Sequence, residues 1–441
     1  MVKRVICMGY KVDEKELRKQ VSILKRLYDF RGLLHFTDFS NLKYIFKEGY
    51  LYSRTYCENN RINFIDGAAK SVLSKATDYV HDCVRFYYRG KTPTLYNNEG
   101  IKLKKYCNKV HIPTPVFLLF DEELIYLDYT EFSDGNATKS EIGNTAEFFS
   151  NMDWHSIFHT GRFSWSDKKY IINKRQAELL SKKPVSLSYL KEIIFRCDAD
   201  MKRAINIFGN DKRYRVDSSL FSDKDNSNAK YEWEENNFIK DYKLYFENNN
   251  EGNINKIILE LEFKKPWTKY EYKVEIFDFN NIEIKDFQRE VYYKNILGSK
   301  SNKSISGNEI IVITLKGNIE KWNKIIVYVN NCISIEEYLI KYDIEKYSVR
   351  IVDEGNSKNL ILYRKFKNLN FIKYQHKIEV LDKDNNVIKS GNIKFKDKCL
   401  CLAWELKIKN IKDNLCKIKY YMNNVICISE DIDNNEDELP F

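Results

Sequence analysis

Glu178 closes the run Arg175-Gln176-Ala177-Glu178, with Lys174 before it and Leu179 after it. A carboxylate at such a point can stabilise a developing cation or take a proton from an attacking acceptor. The same four letters also fit a surface carboxylate in an exposed turn. His35 and Thr37 stand in Leu34-His35-Phe36-Thr37, with Asn41-Leu42 following. A lone histidine is more often a satisfied core residue, but at a strand end it can also bond a substrate hydroxyl. Residues 84–96 read as an aromatic strand running into a basic turn fixed by Pro93. Alternation puts Phe86 and Tyr88 on one face and Tyr87 on the other. Arg85, Arg89 and Lys91 flank that strand and could hold phosphate, solvated charge being the competing reading. Residues 153–170 combine Trp154, His159, Arg162, Phe163 and Trp165. Aromatics of this kind stack on unpaired bases, and the cations meet phosphates.

The elements that must position these groups read as mixed α/β. Leu17, Val21, Leu24 and Tyr28 recur at helical spacing, which predicts a helix over 13–29. A short strand is expected over 33–36. Ser40 can cap a helix that Gly49 ends. Further strands are expected at 84–88 and 116–120, and a turn at 132–136. Residues 187–194 and 199–208 read as helices. The polar run at 222–228 is a linker candidate, so the first domain should end near 224.

Beyond the linker, alternating aliphatic and polar residues give strand periodicity, as in 256–263 and 324–329. The second half also repeats. Residues 269–278 echo 373–382 at an offset of about 104, and 324–331 echo 417–424 at about 93. The shortfall fits an extra loop in the first copy, around 297–302. Asn-rich turns at 279–281 and 382–386 suit hairpins. Two tandem β-sandwich domains are expected, at 229–338 and 339–430, followed by an acidic tail at 431–441.

Composition bounds the rest. A chain of 441 residues holds two or three domains. With 43% hydrophobic residues it can build sizeable cores, yet it lacks a run of about 18 apolar residues. No transmembrane helix or signal peptide is read. The 10 cysteines are scattered without paired metal-ligand spacing, which favours reduced thiols in a cytoplasmic protein. A net charge of +10 suits an anionic partner, although the Lys/Asn/Ile bias of the chain produces much of it.

Taken in order, the segments around His35, 84–96 and Arg175–Glu178 resemble the DarT family of NAD-dependent ADP-ribosyltransferases, which modify bases in DNA. The likeness covers about the first half of the chain, including 97–101, 113–120 and 132–136. It implies an α+β fold: an ADP-ribosyltransferase domain at 1–224, with mixed central sheets and flanking helices, ahead of the two tandem β-sandwich domains. It implies transfer from NAD+, as co-substrate and without a metal, to a nucleic-acid base, foremost in single-stranded DNA. Transfer to RNA or protein, or plain NAD hydrolysis, is the alternative. The family's catalytic glutamate falls on Glu178. The resemblance assigns His35, Thr37, Asn41, Tyr87, Tyr88 and Arg85 to the NAD side. Arg89, Lys91, Trp154, His159, Arg162, Trp165 and Arg175 fall to the nucleic acid. Many family members carry an arginine upstream of the aromatic strand. The matching stretch here, 66–75, has Lys70 and Lys75 but no arginine. Arg54 is the candidate catalytic substitute, with Arg85 the other choice, because lysine cannot form arginine's bidentate fork. The family's biology implies a toxin or anti-phage effector in the cytoplasm, held by an antitoxin or inhibitory partner, with no membrane role.

Overall fold

A computed structural model describes residues 9–65, 78–103, 112–222, 237–248, 254–264, 270–295, 309–354, 357–367, 374–383, 385–393, 402–411 and 415–432. Residues 1–8, the stretch 66–75, most of the linker, the loop at 297–302, Cys399, Cys401 and most of the acidic tail lie outside the described residues. The chain forms two compact units. The first comprises Met1–Asp198 and Arg215–Phe238, the second Ala199–Tyr214 and Ile239–Phe441.

The first unit is built on β1 (Leu33–Asp38), β2 (Tyr50–Leu51), β3 (Val84–Tyr87), β4 (Pro115–Phe120), β5 (Thr130–Ser133), β6 (Ile142–Gly143), β7 (Glu178–Ser181), β8 (Val185–Ser186), β9 (Leu190–Phe195) and β10 (Tyr214–Val216). Eight of these make one sheet in the order β10-β9-β4-β1-β3-β7-β5-β6, while β2 pairs with β8. β1 runs antiparallel to both β3 and β4, and β7 antiparallel to both β3 and β5. β4 is buried along its whole length, as its run of apolar residues requires of a central strand. The expected amphipathic helix spans Glu14–Tyr28 and buries Leu17, Val21 and Leu24. Its Tyr28 stacks on Phe158 at 4.8 Å. The helix Leu42–Glu48 ends on Gly49 at φ 73°, a conformation that favours glycine. Ahead of it, Asp38 accepts from the Ser40 backbone N–H at 2.9 Å.

One prediction fails outright. Residues 187–194 are not a helix: a short 3₁₀ turn, Leu187–Tyr189, leads into strand β9. Lys191 and Glu192 interrupt the apolar run and mimic a helix face. The Ile193-Ile194-Phe195 run is instead buried against β4, through Leu118↔Ile193 and Phe117↔Ile194.

The second unit takes in the helix Asp198–Phe208 from Ala199 onward, and its other described elements are strands and two 3₁₀ turns, Ile319–Lys321 and Leu339–Asp343. Its strands are β11 (Ile239–Asn248), β12 (Ile254–Phe263), β13 (Tyr272–Phe277), β14 (Glu283–Ile284), β15 (Gln288–Asn295), β16 (Glu309–Lys316), β17 (Lys324–Val329), β18 (Cys332–Tyr338), β19 (Ile344–Glu354), β20 (Ser357–Phe366), β21 (His376–Asp382), β22 (Val387–Ile393), β23 (Ala403–Ile411), β24 (Leu415–Met422) and β25 (Val425–Asp431). They form sheets β11-β12-β16-β15 and β14-β13-β17-β18, then β19-β20-β23 and β22-β21-β24-β25. The last two share one core, with Leu360, Leu362 and Phe366 packed among Ile378, Val380, Ile418 and Tyr420.

The repeat is visible in the register. Tyr272 pairs with Val329 in the first copy, and His376 with Met422 in the second, the positions offset by 104 and 93. Asn330 and Asn331 turn at φ 46° and 66°, Asn423 and Asn424 at 46° and 64°. Asn330 Oδ1 accepts from the Glu271 N–H, and Asn423 Oδ1 from the Gln375 N–H, both at 2.8 Å. Each copy carries the same bulge, between Val327 and Tyr328 and between Tyr420 and Tyr421. β15 has no counterpart in the second copy among the described residues, which accounts for the change in offset. Among the described residues, no helix is long and apolar enough to cross a membrane.

Candidate active site

Glu178 opens β7, the strand between β3 and β5, with Tyr87 and Ser133 as its neighbours in register. It is fully buried. Its backbone N–H donates to Ser133 Oγ at 3.2 Å, which fixes the strand end. The Arg85 guanidinium grips its carboxylate as a fork, Nε to Oε2 at 3.0 Å and Nη2 to Oε1 at 2.5 Å. Burial opposes the Arg85 charge, but the Glu178 carboxylate more than offsets it and holds the guanidinium protonated. Arg85 and Glu178 sit diagonally across paired strands, so the sheet itself sets the fork.

Beside this pair lies a cavity of about 650 Å³, lined by His35, Thr37, Asn41, Arg54, Arg85 and Tyr87 among others. That volume falls within the usual range of a small-molecule site. Glu178 itself is not in the lining; Arg85 and Tyr87, which both touch it, are. His35 is half-buried on β1, its Nδ1 2.9 Å from the Arg85 carbonyl oxygen. A carbonyl there demands an N–H, so Nδ1 carries the proton. Burial, aided by the Arg85 charge, pulls the His35 pKa down and keeps the ring neutral near pH 7. The Nε2 lone pair is thereby an acceptor for a ligand hydroxyl.

Tyr87 stacks on Phe36 at 5.5 Å, and burial beside Glu178 pushes its phenol pKa up. Thr37 Oγ1 accepts from Asn41 Nδ2 at 2.9 Å. Asn41 also clamps the backbone of Ile65, accepting from its N–H at 2.8 Å and donating to its carbonyl at 3.0 Å. Asn41 therefore shapes the cavity wall as well as lining it. Arg54 lies in the wall over the Phe64 ring at 5.4 Å and bonds Glu58 at 3.3 Å. Gln176, whose place in the short motif gives no sign of a site role, also lines the cavity and accepts from Asn136 Nδ2 at 3.0 Å.

Several assignments move. Tyr88 points away from the cavity, as the alternation requires, into a core of Phe30, Phe149 and Trp154. Trp154 belongs to that core too, with its indole N–H donating to the Phe149 carbonyl at 2.9 Å. Neither side chain is placed to touch a cofactor or a strand of nucleic acid. Arg89 is half-buried and donates to the carbonyls of Ile157 and His159, at 2.9 and 2.7 Å. It anchors the 153–170 segment rather than reaching outward. Arg175 bonds His159 Nδ1 at 2.9 Å and stacks over Phe163. Lys91 takes φ 51° in the turn after β3, its N–H on the Leu220 carbonyl. Arg162 and Trp165 are exposed, Trp165 by 86%.

A mixed α/β unit with a buried glutamate forked by arginine, at the edge of a cavity of nucleotide size, defines a class of enzyme domain. Residues 34–222 match the family model described as "ssDNA thymidine ADP-ribosyltransferase, DarT". The N-terminal unit is thus a DarT domain, an NAD+-using ADP-ribosyltransferase. Among solved structures, it is similar to Thermus sp. 2.9 DarT in complex with ADP-ribosylated ssDNA, at 17% identity and TM-score 0.37, over 44% of this chain and 97% of that one. The same DarT in complex with NAD+ is 16% identical, TM-score 0.33, over 43% and 96%. Thermosipho africanus DarTG in complex with ADP-ribose is 19% identical, TM-score 0.36, over 44% of this chain and 51% of that one. No curated protein matches the chain in sequence.

Proposed function

We propose that this chain transfers ADP-ribose from NAD+ to thymidine in single-stranded DNA, with Glu178 as the catalytic carboxylate. The observation that carries the reading is the Arg85–Glu178 fork beside the cavity, within the span that matches the family. The nicotinamide–ribose bond breaks and its electron pair leaves with nicotinamide. Positive charge grows on the ribose carbon, as in glycoside hydrolysis. Glu178 stabilises that charge through the ribose hydroxyls. A ribose in the cavity meets Arg85 and Tyr87 first, so the fork must yield one of its two bonds for Glu178 to engage. His35 accepts from a ribose hydroxyl at Nε2. The ring nitrogen of the base attacks the same carbon as its proton passes to a carboxylate oxygen.

The exposed Arg162 and Trp165, on the segment anchored by Arg89, supply the surface for the DNA strand. Arg54 supports the cavity wall and offers its guanidinium to the phosphates of a dinucleotide that enters there. The two sandwich modules, taken as 229–338 and 339–430, recognise a trigger or partner rather than carry chemistry. In the cell the activity serves as a toxin or defence effector, restrained by an antitoxin. Incubation with labelled NAD+ and separate DNA, RNA and protein fractions tests the acceptor. Label in DNA that depends on thymidine supports the reading. Label in RNA or protein alone, or free ADP-ribose only, would replace it.

A further inference from the structure

Four tyrosines, at 44, 50, 52 and 56, fall within one short segment of the first unit, apart from the Arg85–Glu178 fork. Three of them stand in the cavity lining, and Tyr56 backs Tyr52 from outside it. Tyr44, Tyr50 and Tyr52, with Phe64, form that stretch of wall. Tyr52 and Tyr56 lie face to face, their ring centroids 4.1 Å apart and their planes 9° from parallel. Tyr50 stands 6.1 Å from Tyr52. These rings do not fill a core: Tyr44 is 41% exposed, Tyr50 39% and Tyr56 40%. Large aromatic rings held partly in water at a cavity mouth mark a surface awaiting a flat partner. Arg54, held over Phe64, adds a planar cation to the same wall.

We propose that this wall is a nucleobase-stacking subsite centred on Tyr52. The inference rests on the function proposed above only for the kind of ligand that enters the cavity. Its occupant is a flat, uncharged base, which every purine and pyrimidine presents. Two sources offer one: the adenine of the dinucleotide, or a base of the DNA strand next to the target.

The test uses the full chain and reads binding rather than turnover. Tyr52→Leu keeps apolar volume but removes the ring, and Tyr52→Phe keeps the ring. Tyr56→Ala, at an exposed position, is the companion variant should Tyr52→Leu melt early. Calorimetry with NAD+ and with nicotinamide mononucleotide, which lacks adenine, is set beside anisotropy with a thymidine-containing oligonucleotide. Tyr52→Leu should weaken one base-bearing ligand about ten-fold or more. Tyr52→Phe should stay near wild type, and nicotinamide mononucleotide should be unaffected. Loss confined to NAD+ assigns the adenine; loss confined to the oligonucleotide assigns a strand base. Unchanged affinity for both ligands in folded Tyr52→Leu and Tyr56→Ala proteins overturns the subsite. Absence of any transfer by the wild type overturns the proposed reaction instead, and leaves the binding result to judge the wall by itself.

Discussion

At the scale of single residues, activity depends on which polar groups face the cavity and which are used up elsewhere. Glu178→Gln should lower kcat by about 10²-fold or more, with the melting temperature near wild type. A folded Glu178→Gln protein with normal turnover would remove the carboxylate from the chemistry. Arg85→Ala leaves a buried carboxylate without its fork. It should cost about 2 kcal/mol in urea unfolding, low for a broken buried pair because the Arg85 side chain is 32% exposed. His35→Ala should raise KM for NAD+ about ten-fold with a smaller effect on kcat, as expected for one lost hydrogen bond. Tyr88 is the contrasting case. Its hydroxyl is buried with no hydrogen-bond partner among the described residues. Tyr88→Phe should therefore leave activity intact and hold or raise the melting temperature. Lys11 gives a pH signature. Its ammonium is buried against the carbonyls of Leu127 and Thr130, and burial lowers its pKa to about 8. Between about pH 8 and the unfolded value near 10.4 the unfolded chain holds the extra proton, so this group makes stability rise with pH. The rise should be missing in Lys11→Met when unfolding is followed across that window.

At the scale of elements, the 153–170 segment is the part whose sequence misleads most. Its composition reads as one uniform aromatic and basic surface. In the fold, Trp154 is core and Arg89 is its anchor, while Arg162 and Trp165 are outward. Trp165→Ala should weaken oligonucleotide binding about ten-fold without changing NAD+ affinity or melting temperature. Unchanged DNA affinity would move the strand off this segment. The Glu178, His35 and 84–88 segments were legible because strand alternation and short motifs are local. Tyr87 and Tyr88 sort to opposite faces as period two demands. The Arg85–Glu178 fork was not legible, because it depends on β3 and β7 being neighbours across 93 residues of chain. β9 was misread for the same reason, since only its pairing with β4 shows which face its charges take. The tyrosine wall had a signal, aromatic density between 44 and 56, but no period that separates a wall from a core.

At the scale of the molecule, the repeat was readable from two echoes and is carried through strand order, turn asparagines and bulges alike. By contacts, Ala199–Tyr214 group with the β half of the chain and Arg215–Phe238 with the first unit. Within the second unit, Arg203 donates to the Ile333 carbonyl at 3.0 Å and Asn206 to the Glu336 carbonyl at 2.8 Å. Lys341 in turn donates to Asn206 Oδ1 at 2.6 Å. A fragment 1–238 retains every strand of the large sheet but uncovers this helix. It should still transfer ADP-ribose in vitro while aggregating more readily than the full chain, as turbidity on heating would show. A soluble, folded and inactive fragment would mean that the sandwiches complete the substrate site. Transfer to thymidine is read out by mass spectrometry of a single-stranded oligonucleotide after incubation with NAD+ and the full chain. One ADP-ribosyl adduct is expected on a thymidine-containing strand, none on a strand without thymidine and none with Glu178→Gln. An unmodified thymidine strand, or an adduct that survives Glu178→Gln, would contradict Glu178-dependent transfer to thymidine.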